Sequence, residues 1–169
     1  LQIINEMYIA AFLMGTDESW GKLKSVSKNA LDCVSLSNPR RHELLLFRGL
    51  ASLRLEDASM TDTYDTEGNV RFPGEADFEA VLQVDPGNAM AWAALAHGRM
   101  AVYYRLNDRG QTKQAERNQV FANETMAEAI EVAGESFEVA SIVLREMLLK
   151  RNVLLQRKLA DPDSVNEAQ

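Results

Sequence analysis

Apolar residues recur at three- and four-residue intervals through most of the chain, the spacing that lines one face of an α-helix. Ile4, Met7, Tyr8, Ala11 and Phe12 mark a first helix that ends at Gly15. Thr16-Asp17 can cap a second, which carries Trp20, Leu23, Ser27, Ala30, Leu31 and Val34 down one side. Its expected end is Asn38-Pro39, because proline removes a donor and restricts the residue before it. A third helix covers roughly residues 40 to 56, with Leu45, Gly49 and Leu53 on one stripe. The fourth is short, Glu75 to Val84, and leads into the turn Asp85-Pro86-Gly87-Asn88. The fifth is expected from Ala89 to Leu106. The sixth spans residues 111 to 133, with Ala115, Ala122, Met126, Ala129 and Ala133 inward, and the seventh runs from Phe137 to Lys158. Residues 57–74 break the period: Asp57, Asp62, Asp65, Glu67, Gly68, Pro73 and Gly74 form an acidic, turn-rich insertion, expected to be exposed and mobile. No segment alternates with a period of two, so the class is all-α. Residues 1–160 read as one helical-repeat domain and 161–169 as a polar tail.

The pattern repeats. A shift of 47 positions takes Leu31 onto Phe78, Val34 onto Val81, Asn38-Pro39 onto Asp85-Pro86, Leu45 onto Trp92 and Gly49 onto Ala96. A further 48 takes Phe78 onto Met126, Val81 onto Ala129, Pro86 onto Gly134 and Leu95 onto Val143. Large apolar positions meet apolar ones, and small meets small. Such a period means stacked units, none of which buries its own apolar face alone.

The stretch from Ala76 to Ala96, with its Asp85-Pro86-Gly87-Asn88 turn followed by Trp92, Leu95 and Ala96, resembles the junction between two tetratricopeptide repeats. The segment Leu45-Leu46-Phe47-Arg48-Gly49-Leu50-Ala51 is similar to another first helix of that family. The resemblance implies antiparallel helix pairs in a right-handed solenoid of about three units plus a terminal helix. The period departs from the family's roughly 34 residues, because of the insertion and the long fifth and sixth helices. In this family the first helix of each pair lines a concave groove. The positions so implied are Glu43, Leu46, Leu50 and Leu53; Met90, Ala93, His97 and Met100; and Glu138, Ser141, Arg145 and Leu148. That groove is apolar and methionine-bearing, which suits an apolar or amphipathic helix of a protein or peptide partner. At these positions on the third and fifth helices it has none of the Lys, Asn and Arg with which some family members clamp a peptide's terminal carboxylate. Its filling by the chain's own segments is the open alternative.

Charge and chemistry narrow the function. A net charge of −7 argues against a nucleic-acid partner, which needs clustered Lys and Arg. No run of 18 apolar residues encodes a membrane span. The lone Cys33 makes no internal disulfide, reads as a small buried hydrophobe and fits a cytoplasmic compartment, with the periplasm also compatible. The opening Leu-Gln-Ile-Ile suggests a piece of a longer chain. His42 and His97, the two histidines, lack metal-ligand spacing, and no phosphate loop, nucleophile elbow or Cys-x-x-Cys occurs. The acidic run 62–68 places ligand types poorly for a calcium loop, and Asn123-Glu124-Thr125, a glycosylation sequon, lies inside a helix. The expectation is a non-enzymatic adaptor or scaffold with no metal and no cofactor. The alternative is a structural subunit or assembly factor packed permanently in a larger complex, of the envelope or of secretion. The seventh helix favours that alternative: it is apolar on more than one side, as a self-associating end would be.

Overall fold

Seven helices make up most of the chain in a computed structural model that describes residues 2–55 and 63–160. They are α1 (Gln2–Met14), α2 (Asp17–Cys33), α3 (Arg41–Arg54), α4 (Glu75–Val84), α5 (Ala89–Asp108), α6 (Thr112–Ala133) and α7 (Phe137–Ala160). Each helix packs on the next, and α5 also touches α3 and α7. The all-α class holds, with one addition: β1 (Thr63–Tyr64) and β2 (Val70–Arg71) form an antiparallel hairpin between α3 and α4. Two-residue strands are too short for alternation to be visible in the sequence.

Local chemistry sets the helix ends. Thr16 caps α2, its Oγ1 accepting from Ser19 N at 3.3 Å. The end of α2 comes before Asn38-Pro39: Arg41 Nη1 donates to the carbonyls of Leu31 (3.0 Å) and Val34 (3.1 Å), satisfying the last turn from outside. At the α4–α5 junction, Asn88 Oδ1 accepts from Ala91 N at 3.0 Å, and Trp92 Nε1 donates back to the Pro86 carbonyl at 2.7 Å. The turn residues and the tryptophan of that junction therefore act as one bonded unit.

Three apolar clusters run along the array. Ile4, Ala11, Trp20, Leu23, Leu31, Leu44 and Ala51 join α1, α2 and α3. Val70, Phe72, Phe78, Leu95, Val102 and Leu106 join the hairpin to α4 and α5. Ala93, Ala96, Ala129 and Val139 join α5, α6 and α7. Leu31, Phe78, Val81, Gly49, Ala96 and Ala129, which the 47- and 48-residue shifts superpose, are all buried. Gly49 has a steric role, since a Cβ there would sit 2.8 Å from the Phe78 ring and would close off the α3–α4 crossing.

Two expectations need correction. Cys33 is exposed, because it lies two residues beyond the buried Leu31, about 200° further round the helix. The insertion is not a loose loop over its described part. Tyr64 is exposed, but Asn69, Val70 and Phe72 are buried, while residues 57–62 lie outside the described ones. Asp65 organises the hairpin tip, its carboxylate accepting from Glu67 N (2.9 Å), Asn69 N (2.8 Å) and Asn69 Nδ2 (2.9 Å). Asn118 of α6 accepts from Val70 N at 3.1 Å. A buried ion network then ties the segment to three helices. Glu75 binds Arg99 (2.7 Å) and accepts from Phe72 N, Glu79 bridges Arg99 and Arg71, and Arg99 donates to Thr125. Arg99 also lies over the Phe121 ring, 3.7 Å from its centroid.

Candidate functional site: a groove across the odd-numbered helices

The odd-numbered helices share one side of the molecule, and their side chains enclose a cavity of about 500 Å³. From α1 come Tyr8 and Phe12, and from α2 comes Trp20, its ring inclined 69° to that of Tyr8 at a centroid distance of 6.2 Å. Leu50, Leu53 and Arg54 come from α3, His97 from α5 and Arg145 from α7. The repeat offsets explain why these meet. A shift of 47 carries Leu50 to His97, and one of 48 carries His97 to Arg145. Repeat-equivalent positions on stacked units face the same way.

Only part of the expected groove set is assembled here. Leu50, Leu53, His97 and Arg145 line the cavity. Leu46 packs with Leu50 and Leu53 against the central core, while Glu43 and Met90 are half-buried. Ala93 (6% exposed) and Met100 (2% exposed) are core residues, out of reach of a partner. The helix–helix contacts of α5 with α6 and α7 take up positions that an α3-like register leaves open. Leu148 is exposed on α7, Ser141 is exposed with its hydroxyl donating to the Glu138 carbonyl, and Glu138 is half-buried. The wall contributed by Tyr8, Phe12 and Trp20 was missed. Tyr8 and Phe12 stand one helical turn apart and so share a face. The repeat match begins only at Leu31, so the sequence had no register in which to place that face.

At the centre of the groove, Arg145 Nη1 lies 3.2 Å from His97 Nε2. A guanidinium only donates, so Nε2 is the acceptor and the neutral ring carries its proton on Nδ1. Burial, then the charges of Arg145 and Arg54, push the His97 pKa down to about 4. Among the described residues His97 Nδ1 and Trp20 Nε1 are buried without hydrogen-bond partners. Burial and, to a smaller extent, the charge of Glu138 raise the Tyr8 pKa. Beyond the His97–Arg145 pair lies a second cavity of about 480 Å³, reached by Ala101, Tyr104 and Asp108. There Tyr104 donates to the buried Glu146 at 2.9 Å, and burial together with that carboxylate raises the phenol's pKa.

Among the described residues no three His, Cys, Asp or Glu side chains gather closely enough to hold a metal ion. No described helix is long and apolar enough to cross a membrane. Comparison with protein-family models, with curated proteins and with solved structures finds no match to this chain.

Proposed function

We propose that this chain is a non-enzymatic adaptor of tetratricopeptide-like build, which holds an apolar or amphipathic helix of a partner in the groove of α1, α3, α5 and α7. The observation that carries this is the meeting of Leu50, His97 and Arg145, three repeat-equivalent positions, in one largely apolar cavity. Equivalent positions facing one groove offer a continuous surface to a chain laid across it. The right-handed stacking of helix pairs belongs to the same proposal, supported by the bonded Asp85-Pro86-Gly87-Asn88 junction and the small residues at helix crossings. Catalysis fits the groove less well. A histidine with a pKa of about 4 and its free lone pair engaged by a guanidinium is a poor proton acceptor at neutral pH.

Site-specific photo-cross-linking tests the groove. Phe12 is 68% exposed and lines the cavity, so a cross-linking residue there should leave folding intact. Position 12 is expected to capture a partner that Val120, exposed on α6, does not. Equal capture from both positions, or capture from Val120 alone, would overturn the groove as the docking surface. One observation favours the structural-subunit reading: Leu144, Met147 and Leu148 form an exposed apolar strip on α7. Permanent contacts there predict a chain that sediments as an oligomer, and Leu144→Lys with Met147→Lys should return it to a monomer. A parent chain that is already monomeric at high concentration would sink that alternative.

A further inference from the structure

Three arginines are neutralised by carboxylates. Arg48 pairs with Asp77, while Arg71 and Arg99 pair with Glu75 and Glu79. Arg54 and Arg145 are exposed, both line the groove, and among the described residues neither has a carboxylate partner. Arg145 meets the neutral His97 ring, a contact that holds the guanidinium over the cavity without neutralising it. Two cations thus stand over the apolar floor of the cavity in a chain whose net charge is −7. Long-range attraction from an acidic protein would ordinarily draw basic ligands, so local recognition here runs against the overall field.

We propose that the groove selects an amphipathic helix of a partner protein whose apolar stripe is flanked by acidic side chains, with carboxylates meeting Arg54 and Arg145 while apolar residues lie on Phe12, Leu50 and Leu53. This rests on the adaptor role proposed above and names the chemistry of its partner. Guanidinium–carboxylate contacts at a partly desolvated rim set which helices dock, and the apolar floor supplies area common to all of them.

The test uses the 169-residue chain and fluorescein-labelled helical peptides of about 18 residues, roughly five turns. One has a Leu/Met stripe flanked by Glu, and the other has Gln in place of every Glu. The Glu peptide is expected to bind at least about tenfold more tightly, the scale of a hydrogen bond to a charged group. That preference should disappear in the Arg54→Gln/Arg145→Gln double variant and shrink in 0.5 M salt. Both substitutions are at exposed side chains, so helicity should stay at the parent level. Phe12→Ser should weaken both peptides alike. Equal binding of the two peptides to the parent, or an undiminished preference in the double variant, overturns the proposal. If Phe12→Ser still weakens binding in that case, the groove stands and its acidic selectivity fails. If neither peptide binds, or Phe12→Ser leaves both unchanged, the groove fails with it.

Discussion

His97 and Gly98 are neighbours on α5 with opposite constraints, one electrostatic and one steric. The folded His97 pKa of about 4 lies below the ordinary value of 6.5, so the unfolded chain binds its proton first as pH falls. The associated stability is complete above pH 6.5 and is lost progressively on the way down to about 4. Between pH 6.5 and 5 the loss amounts to about 2 kcal/mol. Urea midpoints of the parent and of His97→Gln should therefore converge or cross over that interval, and parallel midpoints would refute the linkage. Gly98 tolerates nothing larger, since a Cβ there would lie 2.3 Å from the ring of Phe72, itself 3% exposed. Gly98→Ala should cost about 1–3 kcal/mol through overpacking, visible as a lowered Tm. Both demands come from neighbours distant in sequence. Cys33 carries the same lesson, because composition alone favours burial for a lone cysteine but the turn of the helix places it outside.

Among the elements, the segment between α3 and α4 departs furthest from its sequence pattern. Acid, glycine and proline suggest a solvated loop, yet Val70 and Phe72 enter the central core and Glu75 is sealed against Arg99. Replacing residues 63–74 with a Gly-Ser linker should therefore destabilise the fold severely, although loop length by itself enters closure entropy weakly. Phe72→Ala should account for about 3–5 kcal/mol of that loss. Tyr64→Ala, at an exposed strand position, should change stability by less than about 0.5 kcal/mol. Thermal melts of the two variants separate these outcomes, and equal effects would show that the hairpin packs otherwise. Glu75→Gln should cost about 3 kcal/mol or more, because it leaves the buried side of Arg99 without its closest countercharge.

Across the whole molecule, three apolar clusters tie successive helices together, so that no helix buries its apolar face alone. The array leaves apolar side chains at both ends: Ile3, Ile9 and Leu13 on α1, and Leu144 and Met147 on α7. On the seventh helix Phe137, Leu144, Met147 and Leu148 are exposed. Leu149, Val153, Leu154 and Leu155 fall outside the described side chains. Dilution should lower the sedimentation coefficient if α7 carries self-contacts, and Leu144→Lys should remove that dependence while leaving helicity unchanged.

Helix positions were legible in the sequence because their determinants are local. Thr16, Asn88 and the Asp85-Pro86 turn set caps within a few residues of themselves, and the 3.6-residue period marks the buried face. Most ends fall within two residues of where the pattern puts them. The end of α2 does not, because a side chain from the next helix closes it. The repeat offset likewise carried enough information to align Leu50, His97 and Arg145, since equivalence along a stacked array is a property of spacing. Only the tertiary structure decided which equivalent positions remain open. Leu53 and Met100 also match under the 47-residue shift, yet Leu53 lines the cavity and Met100 is buried. That Arg54 and Arg145 meet no carboxylate among the described residues is tertiary as well, because a charge is paired according to what other segments bring within about 4 Å.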